Sequence, residues 1–111
     1  MRIRPRFKLW FVGEDEKYVF GLGTMRLLLE IDKLGSISAA ARELGMSYRY
    51  ALERINVVEK RLGRSLVERT RGGKYGGGAK LTPCGYELLE DYKGMESSLS
   101  QLTKWYVDLS N

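Results

Sequence analysis

One stretch near the middle of the chain combines side chains that can hydrogen-bond to nucleic-acid bases. At about 100° per residue around the helix expected after Ser47, the residues Arg49, Glu53 and Asn56 lie opposite its apolar stripe. Tyr50 lies on the flank of this set, near the start of the helix. An arginine can donate two hydrogen bonds to guanine, an asparagine can pair with adenine, and a glutamate can accept from cytosine. The spacing therefore predicts contacts to base edges in the major groove of double-stranded DNA.

Other side chains nearby are suited to the phosphate backbone. Arg54 lies closer to the apolar stripe, and we expect it to reach a phosphate instead of a base. Hydroxyl and backbone N–H groups at helix N-termini bind phosphate oxygens, and the serines at expected N-termini are Ser36, Ser38 and Ser47. A simple helix cap is the alternative interpretation for each serine. Tyr48, in the first turn of the third helix, is a further predicted DNA contact.

A glycine-rich basic segment follows the helices. Residues 69–80 contain five glycines together with Arg69, Arg71, Lys74 and Lys80. Glycines let a narrow loop approach a sugar–phosphate backbone closely, which is typical of a wing that enters the minor groove or follows the phosphates. A loop without a DNA contact is the alternative. A nucleotide-binding phosphate loop is not predicted, because its lysine would be followed by serine or threonine and here tyrosine follows.

Charge is distributed unevenly along the 111 residues. Residues 42–80 contain ten basic and four acidic side chains, a net charge of +6, whereas residues 81–111 contain two basic and five acidic ones, a net charge of −3. A concentrated basic surface attracts polyanions, because each phosphate contact releases a bound counterion.

With no histidine and a single cysteine, Cys84, the sequence excludes an internal disulfide and predicts no zinc cluster. No cofactor is predicted, and no catalytic motif indicates an enzyme.

The N-terminal part of the chain shows strand periodicity followed by helix periodicity. Alternating apolar and basic residues predict a half-buried strand over residues 2–11, which returns over residues 18–20 to form a hairpin. A helix is expected between Thr24, as its N-cap, and Gly35 at its end.

No apolar run approaches the roughly 18 residues of a membrane span, and no signal peptide is recognisable, so a cytoplasmic protein without membrane contact is predicted.

The middle of the chain has the pattern of a helix-turn-helix with a wing. A short alanine-rich helix ends at Gly45, and a second helix begins after Ser47 and ends at Gly63. Small alanines allow the two helices to pack closely. Strands expected at residues 66–70 and 80–82 enclose the glycine-rich segment as a hairpin.

The C-terminal part is predicted to be one long helix that begins at Thr82 and Pro83 and runs to about residue 109. Apolar residues recur along it at alternating intervals of four and three: Leu88, Tyr92, Met95, Leu99, Leu102, Tyr106 and Leu109. This repeat is typical of a coiled-coil seam. Such a helix would extend roughly 40 Å, further than one small domain can cover, so the seam predicts a homodimer. Packing on the N-terminal hairpin is the alternative.

The expected fold class is mainly α with small β elements: a winged helix-turn-helix with an N-terminal β-hairpin and a long C-terminal dimerisation helix. The length supports a single domain. Within it, residues 1–21 are expected to form the hairpin, residues 24–82 the helix-turn-helix core and wing, and residues 83–110 the C-terminal helix.

Four segments together resemble a known family. Gly35-Ser-Ile-Ser-Ala-Ala-Ala41, Gly45-Met-Ser-Tyr-Arg-Tyr-Ala51, Leu62-Gly63 and the run from Gly72 to Thr82 are similar to the DNA-binding domain of ModE-type molybdate-responsive regulators and, more distantly, of LysR-type regulators. The resemblance implies a dimeric transcriptional regulator that binds a palindromic operator through residues 47–62 and the wing at residues 69–80. ModE-type regulators also carry C-terminal oxyanion-binding domains, and the expectation is that this chain lacks them. A winged-helix module for protein interactions and a sequence-tolerant nucleoid protein are the alternative functions.

Overall fold

The computed structural model describes residues 1–71 and 77–109 and contains four helices and six short strands in those ranges. In chain order the elements are β1 (Arg2–Ile3), β2 (Trp10–Val12), β3 (Tyr18–Gly21), α1 (Leu22–Leu34), α2 (Ile37–Glu43), α3 (Tyr48–Leu62), β4 (Val67–Thr70), β5 (Gly78–Leu81), α4 (Pro83–Leu102) and β6 (Val107–Asp108). The strands form three antiparallel pairs, β1 with β6, β2 with β3 and β4 with β5. The expected class, mainly α with a winged helix-turn-helix, is confirmed.

Local signals set the ends of α2 and α3. The Ser36 hydroxyl accepts a hydrogen bond from the N–H of Ala39 at 3.1 Å, and the Ser47 hydroxyl accepts one from Tyr50 at 3.0 Å. Gly45 turns the chain between the helices with a φ of 70°, a conformation that costs glycine little. Ala40 and Ala41 are buried where α2 packs against its neighbours, so their small size permits the close contact. The predicted helix-turn-helix is confirmed.

The β4–β5 hairpin is joined to α4 through Thr82. Its hydroxyl donates to the carbonyl of Ser65 at 2.6 Å and accepts from the N–H of Gly85 at 3.0 Å. Pro83 follows in the first turn, where a missing N–H costs nothing. The predicted threonine–proline start of the last helix is therefore confirmed.

The start of α1 differs from the prediction. The helix begins at Leu22, with Gly21 as its N-cap, so Thr24 does not cap it. Thr24 instead lies within the first turn with its side chain buried. The helix begins earlier because β3 runs directly into it, without the connecting turn that the position of Thr24 suggested.

The prediction of one strand over residues 2–11 is wrong. Residues in this range form two short strands, and β1 pairs with β6 near the C-terminus instead of continuing the hairpin. Pro5 interrupts the segment because proline has no N–H to donate to a strand partner. The hairpin is limited to β2 and β3, in which Phe11 faces Phe20.

The last helix is also shorter than predicted. It ends at Leu102, and the Thr103 hydroxyl donates to the carbonyl of Leu99 at 2.9 Å at its C-terminal end. Tyr106 and Leu109 therefore lie outside the helix and are not part of a helical seam. The chain turns back after Leu102 because residues 107–108 pair with β1, an interaction between distant segments that the heptad pattern does not encode.

Tyr92 occupies the core of its own chain. Its ring packs against Phe11 and Phe20, with centroids 5.8 and 5.5 Å away, and its hydroxyl donates to the carbonyl of Leu9 at 2.9 Å. Burial raises the pKa of this hydroxyl. The assignment of Tyr92 to an intermolecular seam is therefore wrong, since the side chain is already enclosed.

None of the helices in the described ranges is long and apolar enough to cross a membrane.

Candidate nucleic-acid interface

The outward face of α3 carries the residues predicted to read bases. Ala51, Ile55 and Val58 form the buried stripe that holds the helix on the core. On the opposite side Arg49, Glu53 and Asn56 are exposed, and they share a shallow groove. Tyr50, about half exposed, lies at the edge of this face as predicted. The structure thus brings the predicted base-contact set together on one accessible surface.

Two further residues on this face were missed by sequence reasoning. Val57 is 60% exposed and Lys60 is exposed, and both line the same groove as Arg49. Their positions follow from the same helical spacing that placed Asn56, so the periodicity could have identified them. An exposed valine on such a face offers an apolar contact of the kind that recognises the methyl group of thymine.

One flank of α3 is attached to the wing. Arg69 of β4 donates from Nη1 to the hydroxyl of Tyr48 at 3.2 Å. Further along the helix, the Glu59 carboxylate accepts hydrogen bonds from the backbone N–H groups of Leu66 and Val67, at 2.6 and 3.3 Å. These contacts fix the direction in which the wing leaves the helix.

The other flank of α3 is attached to the β2–β3 hairpin. Arg61 donates from Nη2 to the Asp15 carboxylate at 2.6 Å and to the carbonyl of Lys17 at 3.3 Å. The backbone N–H of Lys17 also donates to Asp15, and together with Arg61 it holds the pKa of this carboxyl below its usual value. The hairpin turn is thereby tied to the C-terminal end of the helix.

Arg54 lies on the side of α3 that faces the hairpin, and it is half-buried. This burial agrees with the prediction that Arg54 lies closer to the apolar stripe than the base-contact residues do. Its guanidinium lies 5.9 Å from the ring centroid of Tyr50 and beside Gly23 at the start of α1. It forms no ion pair with a carboxylate in the described ranges.

The three serines have different surroundings. Ser36 and Ser47 use hydroxyl lone pairs as helix caps, and their O–H groups remain able to donate to a phosphate oxygen. Ser38 is exposed in the first turn of α2. A role of these serines in phosphate binding stays a prediction.

Of the wing residues, Arg69 lies on β4 and Lys80 on β5, and Arg71 directly follows the end of β4. Arg69, Arg71 and Lys80 are exposed, and Lys80 forms an ion pair with Glu68 at 3.7 Å. The predicted contact Lys74 lies outside the described residues. At the neck of the hairpin, the N–H of Gly78 donates to the Thr70 hydroxyl at 3.0 Å. The hydrogen bond from Arg69 to Tyr48 therefore connects the predicted DNA-contacting residues of the wing to those of α3.

Acidic and sulfur side chains do not gather into a metal site in the part of the chain that the structure describes. The interface side chains are mainly basic, aromatic and amide groups together with the single carboxylate of Glu53, and such groups bind bases and phosphates.

Comparison with protein families places most of this architecture in one group. The model described as "Bacterial regulatory helix-turn-helix protein, lysR family" matches residues 22–86. The matched range contains α1, the helix-turn-helix, both strands of the wing and the start of α4.

Two characterised relatives are similar to the same region. The molybdenum-pterin-binding protein MopB of Rhodobacter capsulatus is 42% identical over 82 residues, which is 74% of this chain and 30% of that protein. The DNA-binding transcriptional dual regulator ModE of Escherichia coli K12 is 46% identical over 66 residues, which is 60% of this chain and 25% of that protein. The chain thus spans less than a third of the length of these relatives. The resemblance to ModE-type regulators is confirmed.

A solved structure shares the fold. The DNA-binding domain of CbnR, in a crystal structure with DNA, matches with a TM-score of 0.57 and 24% identity, covering 71% of this chain and 85% of that domain. This likeness supports the winged helix-turn-helix architecture.

Proposed function

Because the chain belongs to the lysR family of bacterial regulatory helix-turn-helix proteins, we propose that it binds specific sequences of double-stranded DNA as a homodimer and so regulates transcription. The observation that carries this proposal is the exposed face of α3, where Arg49, Glu53 and Asn56 lie together on one surface. Each can hydrogen-bond to a base edge in the major groove, and the set as a whole discriminates among base pairs.

The elements on both sides of α3 support the same conclusion. The wing presents Arg69 and Arg71 on one flank, and the hairpin holds the helix on the other. ModE is named as a DNA-binding regulator and CbnR's domain was solved with DNA, which favours duplex DNA over an acidic protein as the partner.

The homodimer is supported by apolar side chains at the far end of α4. Met95 is 51% exposed and Leu102 is 73% exposed, and both are members of the predicted seam. Leu99 is only partly buried, whereas Leu88, near the start of α4, packs against the core of its own chain. A two-fold dimer with one α3 per subunit would read a palindromic operator, with half-sites about 34 Å apart.

The test is selection of bound duplexes from a random DNA pool, followed by affinity measurements over a range of salt concentrations. We expect a pool that converges on an inverted repeat and an affinity that falls as salt rises. Failure to retain any duplex at low salt would identify a protein-interaction module instead. Binding without sequence preference would identify an architectural nucleoid protein.

A further inference from the structure

A recess lies on the hairpin side of the recognition helix, between α3 and the start of α1. It has a volume of about 250 Å³ and is lined by Tyr18 and Thr24 on one side and by Tyr50, Glu53, Arg54 and Val58 of α3 on the other. We refer to it as the α1 recess. Thr24 and Val58 are buried and form its floor, whereas Tyr18 and Tyr50 are about half exposed and form its rim. The recess therefore opens beside the base-reading face.

The floor contains a polar group without a partner. Thr24 is fully buried, and its hydroxyl has no hydrogen-bond partner in the part of the chain that the structure describes. A buried hydroxyl without a partner is costly, and such groups in folded proteins are usually satisfied by a water molecule or a ligand. A threonine in this position is thus better explained by a bound group than by packing alone, for which valine has the same shape.

The start of α1 adds a positive potential. Its N-cap is Gly21, which has no side chain to cap the helix, and its first turn contains no acidic residue. The first N–H groups of a helix have no partner within it and form the positive end of the helix dipole. An anion at this point would accept hydrogen bonds from those groups.

Arg54 adds a positive charge at the start of α1. Its Nη2 lies 3.2 Å from the position that a Cβ on Gly23 would take, so the guanidinium is held at the positive end of α1. A cation is unfavourable there. Glu53 also lines the recess, and it forms no ion pair with Arg54 in the described ranges. An anion between Arg54 and α1 would relieve the repulsion.

We propose that the α1 recess binds a phosphate group of the DNA backbone that borders the groove occupied by α3. The inference rests on the proposed function. A helix in a major groove about 12 Å wide has a phosphate backbone on each side. The wing supplies cations toward one backbone, and Arg54, Thr24 and the start of α1 supply donors toward the other.

The test compares Thr24→Val and Arg54→Gln with wild type in the full chain. We would measure the affinity for a fixed duplex by fluorescence anisotropy at several chloride concentrations, and the melting temperature of the free protein. Thr24→Val removes one hydrogen bond to a charged group and is expected to weaken binding about tenfold, with a melting temperature that is unchanged or higher. Thr24→Ser keeps the hydroxyl and should retain the affinity. Arg54→Gln should reduce the slope of log affinity against log salt by about 0.9.

Lys93→Gln provides the matched control, because Lys93 is an exposed cation on α4 that pairs only with Glu90 in the described ranges. It should leave affinity and salt slope unchanged. Wild-type protein that binds no duplex overturns the proposed function itself. Wild-type binding that Thr24→Val and Arg54→Gln leave unaltered overturns the phosphate site alone, as does a Thr24→Val variant that is less stable than wild type.

A separate arm distinguishes DNA phosphate from a free anion. Inorganic phosphate is added to the free protein at constant ionic strength, with chloride as the balancing salt. If phosphate raises the melting temperature of wild type but not of Thr24→Val, while both variants bind DNA normally, the recess holds a free oxyanion and the assignment to the DNA backbone is wrong.

Discussion

Two arginines on α3 show how the partners of a side chain decide its role. Arg61 donates to Asp15 and to the carbonyls of Lys17 and Tyr18, so its guanidinium is occupied in holding the hairpin. Arg49 is exposed, and no hydrogen bond or ion pair engages it within the described residues. A guanidinium that is free in the unbound protein can donate two hydrogen bonds to guanine without first losing a partner.

Arg49→Ala is therefore expected to reduce discrimination at one base pair of the operator. The loss should amount to about 1 to 3 kcal/mol of binding free energy at that position, with little effect at others. Affinities for a set of single-base operator variants measure it. Arg71→Ala on the wing is the comparison, because a lost phosphate contact weakens binding to all sequences alike. Equal losses on operator and random DNA for both variants would contradict the assigned roles.

Asp15→Asn tests the contact between the hairpin and α3. The N–H of Lys17 and the guanidinium of Arg61 lower the pKa of Asp15 from its ordinary value of 3.8, so the carboxylate stabilises the folded state above that pH. This contribution is lost as the pH falls through the lower value in the folded protein. At pH 7 the variant should melt at a lower temperature than wild type, and the difference should close in strong acid. Glu14→Gln, an exposed neighbour, should show no such closing gap.

At the scale of elements, α4 is the support on which the wing and the hairpin rest. Near its start, Gly85 packs against the carbonyl of Leu66, just before β4. Seven residues later Tyr92 packs against the aromatic rings of the hairpin. Tyr86 additionally donates from its hydroxyl to Asp32 of α1 at 2.7 Å. One helix thus fixes the relative positions of the elements on both flanks of α3.

The two glycines of α4 should respond in opposite ways to the same substitution. A Cβ on Gly85 would overlap the carbonyl oxygen of Leu66, so Gly85→Ala should destabilise the protein by about 1 to 3 kcal/mol or more. A Cβ on Gly94 meets no atom within 4 Å, so Gly94→Ala should stabilise the helix by about 0.5 to 1 kcal/mol. Urea denaturation of both variants measures the difference. A stable Gly85→Ala protein would show that the helix does not need this close approach.

Sequence patterns predict the elements whose ends depend on neighbouring residues. The caps at Ser36 and Ser47 and the turns at Gly45 and Gly63 act within one helical turn and are confirmed. Ser38, the other candidate cap of α2, lies inside the first turn of that helix instead. The N-terminal strand and the end of α4 were predicted wrongly because they depend on pairing between residues 2–3 and 107–108. The base-reading face follows from helical spacing alone. The α1 recess does not, since Thr24 and Arg54 meet only through the packing of α1 against α3.

At the scale of the whole molecule, the chain is elongated. It measures 65 × 33 × 21 Å with a radius of gyration of 17.1 Å, whereas a compact domain of about 100 residues has a radius near 13 Å. The core is formed around α1, α2 and α3, and the last turns of α4 carry apolar side chains at the surface. Trp105 and Leu109 beyond the helix are also exposed. Such a concentration of exposed apolar groups is typical of a surface covered by a partner.

Leu102→Asp should convert the proposed dimer into monomers. Leu102 is 73% exposed in the single chain, so the substitution leaves the core intact while placing a charge in the apolar contact between two copies. Light scattering should give about twice the chain mass of 12.7 kDa for wild type and the single mass for the variant, with weaker binding to a palindromic operator. Gln101→Asp is the matched control, because it adds the same charge at an exposed neighbouring position and should remain dimeric. A wild-type protein that is monomeric at micromolar concentration would show that this apolar end is not a dimer interface.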